Sequence, residues 1–263
     1  MNKKTAAITG ASGGIGSALA KLLSREYTVY NLSRRSSCAE GVCNIKTDVS
    51  DEISVKTAFE EIKLKEGKLD LLVNCAGYGI SGVIEFTNLS DAKSIFDVNF
   101  YGTFLTAKYA LPLLRNTHGR IINVSSEAAR FSIPYQGFYS ASKSAVNSLT
   151  FCLANEAARF GVSVCAVTPG DVKTGFTAAR IKNDDGESLY GGTIQKSVAV
   201  MEHDEKNGEA PEDIAAFIKK IAEKKKVKPL YTPGLKYKFF DFLFKVLPCR
   251  TVNKLVGMLY IKK

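Results

Sequence analysis

Tyr139 and Lys143 form a pair of side chains that could move a proton. The segment Tyr-Ser-Ala-Ser-Lys that they delimit is predicted to be helical, so the two side chains lie one turn apart on one face. A fixed ammonium stabilises the ionised form of a neighbouring phenol, which would give a proton donor and acceptor usable near neutral pH. The same spacing also arises by chance, with a tyrosine at the core edge and a solvated lysine. The pair therefore indicates catalysis only if the rest of the chain forms a cofactor-binding cleft that faces it.

A glycine-rich turn near the start of the chain predicts such a cleft. A short apolar strand, residues 5–9, precedes the turn, and a segment with helical apolar spacing follows it. Glycines let the backbone approach a pyrophosphate closely, and the helix N-terminus offers free N–H groups and a positive dipole end. The predicted cofactor contacts in this turn are Gly10, Ser12, Gly13, Gly14, Ile15 and Gly16.

The end of the second predicted strand, residues 27–32, indicates which dinucleotide is bound. An NAD site usually has an acidic residue there for the ribose 2′-hydroxyl, whereas an arginine suits a 2′-phosphate. This strand is followed by Ser33 and Arg34, and no acidic residue stands at its end. We therefore expect NADP(H) to be preferred over NAD(H), with Arg34 as the main contact and Ser33 as a helper. The alternative is that Arg34 is a solvated loop charge.

Strands and helices alternate along the chain. Further strands are predicted at residues 42–47, 69–74, 119–124, 162–168 and 229–232, with helical segments between them. This alternation predicts an α/β fold, a Rossmann-type doubly wound parallel sheet of seven strands with helices on both faces. We expect one catalytic domain at 1–233, containing a substrate lid at 174–207, and a helical C-terminal extension at 234–263. The candidate site residues fall at the carboxyl ends of the strands, where ligands bind in such folds.

Composition excludes several other classes. With 263 residues, 45% hydrophobic and 24% charged, the chain is typical of a soluble globular protein. Neither a signal-peptide pattern nor an apolar run long enough to span a bilayer is present. The six cysteines are scattered and do not pair with the two histidines in a metal-ligand pattern, so we expect no metal site and a cytoplasmic location.

The net charge of +10 belongs to one segment. From residue 219 onward there are 13 of the 36 Lys and Arg residues but only two of the 26 acidic residues. The extension also contains two apolar, aromatic blocks, residues 237–247 and 255–261. A basic amphipathic stretch of this kind can lie in a membrane interface, so peripheral membrane contact is one expectation. The alternative is that these helices cap the substrate site or a subunit interface. Nucleic-acid binding is disfavoured, because the segment is too apolar for a stacking platform.

Taken together, these motifs resemble the short-chain dehydrogenase/reductase family, and the resemblance covers roughly residues 3 to 232. Residues 9–16 are similar to its cofactor loop, residues 74–77 to its Asn-Asn-Ala-Gly motif with Cys75 in place of the second Asn, and Tyr139–Lys143 to its Tyr-x-x-x-Lys motif. Through the resemblance, the catalytic tetrad is Asn99, Ser126, Tyr139 and Lys143. The further cofactor contacts that it implies are Asp48, Val49, Asn74, Ala76, Gly77, Tyr139, Lys143, Pro169, Gly170, Val172 and Thr174.

The family mechanism implies a role for each member of the tetrad. Tyr139 would protonate a carbonyl oxygen or deprotonate an alcohol, and Lys143 would lower the pKa of Tyr139 and hold the nicotinamide ribose. Ser126 would bind the substrate oxygen, with Ser125 as the alternative for this role, and Asn99 would hold a proton-relaying water. The resemblance also implies a homodimer that pairs through the helices at 99–114 and 139–160.

The substrate side is predicted from apolar residues in the lid and in the loop before the catalytic helix. Phe131, Tyr135, Phe176 and Tyr190 are the candidate substrate contacts, and they suit a lipophilic steroid-, retinoid- or acyl-like ketone or alcohol. The extension adds a likeness to hydroxysteroid and retinol dehydrogenase-like members. Two alternatives remain open: a 3-oxoacyl carrier-protein reductase that docks an acidic carrier, and a non-catalytic NADP-sensing regulator.

Overall fold

A computed structural model describes residues 3–261, which contain nine strands. In chain order they are β1 (Lys4–Thr9), β2 (Tyr27–Ser33), β3 (Val42–Lys46), β4 (Leu71–Asn74), β5 (Ile80–Ser81), β6 (Arg120–Val124), β7 (Ser163–Val167), β8 (Ile181–Lys182) and β9 (Leu230–Tyr231). Seven of these strands form one parallel sheet in the order β3-β2-β1-β4-β6-β7-β9, while β5 and β8 pair separately. The predicted seven-stranded doubly wound sheet is confirmed.

Ten α-helices connect and cover these strands within the described residues. They are α1 (Gly14–Leu23), α2 (Glu52–Glu66), α3 (Leu89–Phe96), α4 (Gly102–Arg115), α5 (Gly137–Ala158), α6 (Phe176–Ala179), α7 (Thr193–Lys206), α8 (Pro211–Ala222), α9 (Leu235–Val246) and α10 (Cys249–Ile261). Local sequence sets the helix ends. The side chain of Asp51 caps α2 by accepting a hydrogen bond from the Ile53 N–H, and α8 begins at Pro211, whose missing N–H costs nothing there.

The sheet is buried on both faces, because successive side chains of a strand point in opposite directions. On β6, Ile121 belongs to the core formed with α2, α4 and α5, whereas Ile122 belongs to the core formed with α1 and α8. Both side chains are fully buried. This explains why the central strands are continuous apolar runs without polar alternation.

The register of the sheet brings the strand ends to one edge. Thr9 at the end of β1 is level with Leu32 on one side and with Asn74 on the other, and Asn74 is level with Asn123. The chain leaves β1 for β2 and β3 and then returns to β4 on the opposite side of β1. The loops after β1 and β4 therefore diverge and leave a cleft, as expected at the switch point of a doubly wound sheet.

The C-terminal helices α9 and α10 both pack against the rest of the chain, α9 with polar contacts and α10 with buried apolar side chains. Asp241 on α9 pairs with the guanidinium of Arg130 and accepts a hydrogen bond from the Thr232 hydroxyl at 2.5 Å. Helix α10 packs against α7 of the lid, with Val252 and Val256 buried. Within residues 3–261, no helix combines the length and the apolar character that crossing a bilayer requires.

Candidate active site

A cavity of about 1020 Å³ lies at the carboxyl edge of the sheet. One end lies over the glycine-rich turn between β1 and α1, and the other lies between the catalytic helix α5, the lid and the C-terminal helices. Ser126, Tyr139 and Lys143 line it. The residue types predicted to do chemistry are thus brought together at the predicted edge.

Tyr139 and Lys143 face the cavity from the first turns of α5. The Lys143 ammonium lies 5.9 Å from the centre of the Tyr139 ring and donates a hydrogen bond to the Val124 carbonyl at the end of β6, with an N–O distance of 2.9 Å. Both residues are more than nine-tenths buried. The strand end therefore fixes the ammonium, and the helix fixes the phenol beside it.

Asn99 lies behind this pair, fully buried in a π-helical turn at Asp97–Tyr101 that joins α3 to α4. Its side chain accepts a hydrogen bond from the Tyr78 N–H and donates to the Tyr78 carbonyl, both at 3.1 Å, and it also lies 3.1 Å from the Ser142 hydroxyl. π-Turns of this kind often accompany functional sites. Asn99 does not line the cavity, so its contacts are with the backbone that supports the cleft wall.

The two serines that follow β6 have different surroundings. Ser125 is buried, and its hydroxyl donates to the Lys143 carbonyl at 3.1 Å. Ser126 caps a short 3₁₀ turn, where its hydroxyl accepts from the Ala128 N–H at 3.1 Å, and a hydrogen bond from Ser126 lowers the pKa of Tyr139. Ser126 is therefore the serine in contact with the catalytic phenol, while Ser125 supports the helix that carries it.

The electrostatics of the pair differ from the prediction that Lys143 lowers the pKa of Tyr139. Burial raises the pKa of Tyr139 to about 12, which outweighs the lowering by Ser126. Burial also lowers the pKa of Lys143 to about 8, because a buried ammonium loses its hydration. In the protein alone, the phenol therefore keeps its proton at neutral pH, and it is the ammonium that titrates nearer to neutrality.

The glycine-rich turn fits the pyrophosphate of a dinucleotide. Gly10 has a φ of +71°, and a Cβ at this position would lie 2.9 Å from the backbone of Ala76, so only glycine is tolerated. Gly13 lines the cavity, and a Cβ there would meet no atom within 4 Å, which leaves open space beside the backbone. Gly13 also precedes α1 without a side-chain cap, so the first N–H groups of the helix are free to bind an anion.

Beside the glycine-rich turn, the ends of β2 and β3 carry the residue types that an adenosine phosphate requires. Arg34 is exposed directly after β2, and both Arg34 and Asp48 line the cavity. The hydroxyl of Ser50 and, more weakly, the charge of Arg34 lower the pKa of Asp48, which keeps it ionised. Ser33 lines the cavity, but its hydroxyl already donates to Asn31 at 2.6 Å. The helper role predicted for Ser33 is therefore weakened, and Arg34 and its exposed neighbour Arg35 are the cations that line this part of the cavity.

Most of the predicted cofactor contacts line the cavity, with one exception. Asn74 is buried behind the cleft, where its amide donates to Asn123 at 2.9 Å and accepts from the Thr106 hydroxyl at 2.8 Å. Its prediction as a direct cofactor contact is corrected, because the side chain ties β4 to β6 and α4. The predicted contacts that do line the cavity are Gly10, Ser12, Gly13, Gly14, Ile15, Gly16, Ser33, Arg34, Asp48, Val49, Ala76, Gly77, Tyr139, Lys143, Pro169, Gly170, Val172 and Thr174.

The predicted substrate contacts divide into two groups. Phe131 and Phe176 line the main cavity, and the Phe176 ring lies 5.5 Å from the Tyr139 ring. Tyr135 and Tyr190 instead line a separate small pocket of about 350 Å³ beside Ile84. Tyr135 has a positive φ of 61°, and its hydroxyl lies 2.7 Å from that of Thr193. The prediction is therefore wrong for Tyr135 and Tyr190.

The C-terminal helices supply cavity residues that the sequence analysis did not assign. Tyr237 packs on Gly170, and its hydroxyl donates to the Asp171 carboxylate at 2.6 Å. The helical spacing of apolar residues in α9 predicts that one face of this helix is buried. The sequence does not show which face, because α9 is apolar on two of them. The inward residues of the two helices are Tyr237, Phe240, Leu243, Phe244, Leu247, Val252, Leu255, Val256, Met258, Leu259 and Tyr260.

The substrate side of the cavity carries acidic residues. Glu127, Asp171, Asp204 and Glu205 all line it. Arg180, at the end of α6, is paired with Glu205. Such a cavity disfavours a substrate with its own negative charge.

The comparisons with known proteins agree with this geometry. The family model described as short chain dehydrogenase matches residues 4–185. A relative named 3-ketodihydrosphingosine reductase, from Bacteroides thetaiotaomicron, is 40% identical over 223 residues, which is 83% of each chain.

Solved structures extend the likeness to the whole chain. A short-chain dehydrogenase from Streptomyces avermitilis has a TM-score of 0.82 at 25% identity and covers 98% of this chain and 96% of its own. A structure described as ElxO with NADP bound has a TM-score of 0.73 at 29% identity and covers 90% of this chain and 99% of its own. With the family model matched over most of the chain and the proton-transfer residues assembled beside a dinucleotide cleft, the chain belongs to the short-chain dehydrogenase family.

Proposed function

We propose that this protein uses NADPH to reduce the ketone of a long-chain lipid, and that 3-ketodihydrosphingosine is the substrate to test first. The observation that carries the proposal is the wall that α9 and α10 add to the cavity. Phe240, Leu243, Phe244 and Leu247 extend an apolar surface beyond the catalytic pair, where a hydrocarbon chain would be buried.

The charges around the cavity favour this substrate over an anionic one. Asp171 and Asp204 would repel a carboxylate or a phosphate, whereas a 2-amino ketone carries a positive charge. Glu205 adds little to this repulsion, because it is paired with Arg180. The relative that shares 40% identity is named for a ketone of this class. A 3-oxoacyl carrier-protein substrate is the second candidate, but its phosphate-bearing arm would have to pass these carboxylates.

NADP(H) is the proposed cofactor, and when bound it supplies the hydride. The proposal rests on Arg34 at the end of β2, where a 2′-phosphate would be neutralised. The N-terminus of α1 would hold the pyrophosphate, and Pro169, Gly170 and Thr174 would hold the nicotinamide end.

The residues around the reacting carbonyl have separate roles in this proposal. Tyr139 holds the proton that the carbonyl oxygen receives, and Ser126 hydrogen-bonds the same oxygen as charge develops on it. Lys143 orients the ribose, while Asn99 fixes the backbone behind the pair. The regulator alternative has no support in the tetrad, since all four side chains are present.

The test is NADPH oxidation with a substrate panel. We expect turnover with 3-ketodihydrosphingosine to exceed turnover with a steroid ketone, retinal and a 3-oxoacyl carrier-protein ester. NADH serves as the cofactor control. A preference for the carrier-protein ester would replace the proposed substrate class.

Replacing Tyr139 by Phe tests the proton donor. Tyr139→Phe should lower kcat by about 10³-fold or more, because general acid catalysis contributes roughly 10²–10⁴-fold. NADPH affinity, measured by fluorescence titration, should change less than about threefold, since the ring is kept. Tyr109→Phe, a surface tyrosine on α4, is the matched control. Retained turnover would remove Tyr139 from the mechanism.

We also propose that the protein is a cytoplasmic homodimer that pairs through α4 and α5. Phe104 on α4 and Phe151 on α5 are each about 40% exposed, which leaves an apolar surface on these helices. Replacing both with Arg should halve the molar mass measured by light scattering after size-exclusion chromatography. An unchanged mass would place the interface elsewhere.

A further inference from the structure

Helix α9 has two separate apolar faces. Phe240, Leu243, Phe244 and Leu247 face the cavity. The outward stripe consists of Leu235, Phe239, Phe242 and Val246, which are 83%, 58%, 59% and 56% exposed. Their spacing of four, three and four residues places them in one row along the helix. A soluble protein rarely exposes a row of large apolar side chains that has no partner.

Helix α10 continues this surface at the mouth of the cavity. Leu255, Met258 and Leu259 are each about 45% exposed, and all three also line the cavity. Side chains that are half in solvent and half on the cavity wall mark the rim of an opening. The cavity therefore reaches the outside among apolar side chains.

Positive charges accompany the outward stripe. Lys238 and Lys245 on α9 and Lys254 on α10 are exposed, and α10 begins beside the exposed Arg250. The acidic residue of α9, Asp241, points inward to Arg130 and Thr232. An apolar row with ammonium groups beside it is complementary to the boundary between acyl chains and anionic headgroups.

The dimensions fit a helix that lies on a bilayer. Helix α9 has 12 residues, which at about 1.5 Å per residue is too short to cross the hydrocarbon core. Its ion pair with Arg130 and the contact of Tyr237 with Asp171 hold it against the protein, so the outward stripe is presented on a fixed surface.

We propose that the outward stripe of α9 and the exposed rim of α10 dock this protein on the surface of an anionic lipid bilayer. Docking there would open the cavity directly to the acyl-chain region. A lipid ketone could then reach Tyr139 without passing through water, and this consequence rests on the function proposed above. The docking itself does not depend on the substrate.

The experiment is sedimentation of the full chain with vesicles of phosphatidylcholine, with and without phosphatidylglycerol. We expect binding to the mixed vesicles, which Phe239→Ser combined with Phe242→Ser should weaken by at least about tenfold, because two half-exposed rings no longer enter the interface. Ile53→Ser combined with Leu64→Ser on α2 is the matched control, since these side chains are more exposed still and lie on another element. Equal binding by the stripe variant and the wild type would overturn the proposal.

A charge-reversal pair tests the lipid headgroup. Lys238→Glu combined with Lys245→Glu should weaken binding to the mixed vesicles by about tenfold or more, in proportion to the phosphatidylglycerol content, and added salt should weaken wild-type binding. The control is Lys46→Glu combined with Lys63→Glu, which makes the same change in net charge at exposed sites on β3 and α2. If the two pairs weaken binding equally, the docking surface is not α9.

A second copy of the chain is the competing occupant of this surface. If light scattering shows an assembly that Phe239→Ser with Phe242→Ser disrupts, and the wild type does not sediment with vesicles, the surface is a contact between copies and the proposal fails. Vesicle binding needs no substrate. Intact binding without lipid-ketone reduction in detergent would therefore count against the proposed function alone.

Discussion

Arg34 is the residue that should decide between the two nicotinamide cofactors. It is exposed at the end of β2 and lines the cavity, whereas the hydroxyl of Ser33 beside it is already bonded to Asn31. Arg34→Ser should reduce kcat/KM with NADPH by roughly 10- to 100-fold, the value of a charge-assisted hydrogen bond, and leave kcat/KM with NADH nearly unchanged.

The control for this change is Arg25→Ser, which removes an exposed arginine just beyond the end of α1. Initial rates measured with NADPH and with NADH give the ratio of the two kcat/KM values. If the ratio of the two kcat/KM values stays constant in Arg34→Ser, another residue binds the 2′-phosphate or NADP(H) is not preferred.

Individual site residues were predictable where a backbone feature dictates them. Gly10 and Gly13 follow from the close approach that a pyrophosphate needs, whereas Ser126 was implied by the family resemblance. Asn74 was not predictable as an interior residue, because a strand-end amide can turn either to the cleft or to Thr106 and Asn123. Only the packed structure shows which partners are within reach.

The pKa values of the catalytic pair also depend on packing. A neighbouring ammonium lowers the pKa of a phenol in principle, but burial acts in the opposite direction and is the larger effect at Tyr139. The sequence predicts that Lys143 is a neighbour of Tyr139, but it does not predict how deeply the two side chains are buried. The direction was therefore wrong for the protein alone, although the two side chains do lie one turn apart.

At the scale of elements, the contact between α9 and the loop after β7 controls the shape of the substrate site. A Cβ on Gly170 would lie 1.9 Å from the Tyr237 ring, so Gly170→Ala cannot coexist with the present position of α9. We expect KM for a lipid ketone to rise about tenfold, corresponding to the 1–3 kcal/mol typical of overpacking.

Rescue distinguishes this clash from a local effect on the loop. In the double variant Gly170→Ala with Tyr237→Ala the ring is gone, so KM should fall back toward the value of Tyr237→Ala alone. If the double variant is no better than Gly170→Ala, the added methyl group acts on the cofactor side of the loop and not on α9.

The strands and most helices were predictable because their apolar periods are long and regular. The structure of the lid was less predictable. The segment at 174–207 contains α6, the short β8 and α7, and short elements have too few residues for a periodic pattern to be recognised. Tyr190, which lies in the lid, was misassigned for this reason. Tyr135 lies in the loop before α5, where its positive φ of 61° is a backbone conformation that a sequence rarely predicts for a non-glycine residue.

At the scale of the whole molecule, Glu127 links stability to pH. Its carboxylate is buried near Asp241, and burial raises its pKa to about 7. The unfolded chain has a glutamate pKa near 4.3, so the folded state holds the proton over the interval between these values. Stability should therefore fall as pH rises from about 4.5 to 7, and the loss is complete above pH 7.

Glu127→Gln removes this titration. The free energy of unfolding of the wild type, measured by urea denaturation, should drop relative to the variant by up to about 3 kcal/mol between pH 5 and pH 8. Glu212→Gln, at an exposed position on α8, is the control and should follow the wild type. Parallel curves for the wild type and Glu127→Gln would show that Glu127 does not carry the linkage.

The seating of Tyr237 on Gly170 has a consequence for how the cofactor and the substrate bind. Gly170 belongs to the loop proposed to hold the nicotinamide, and Tyr237 belongs to the helix that walls the substrate site. The cofactor and the substrate both act on this one contact, so their binding is linked. If bound cofactor raises the affinity for the substrate by some factor, bound substrate must raise the affinity for the cofactor by the same factor. The Kd of NADP(H) should therefore shift on addition of substrate by the same factor as the Kd of the substrate shifts on addition of NADP(H).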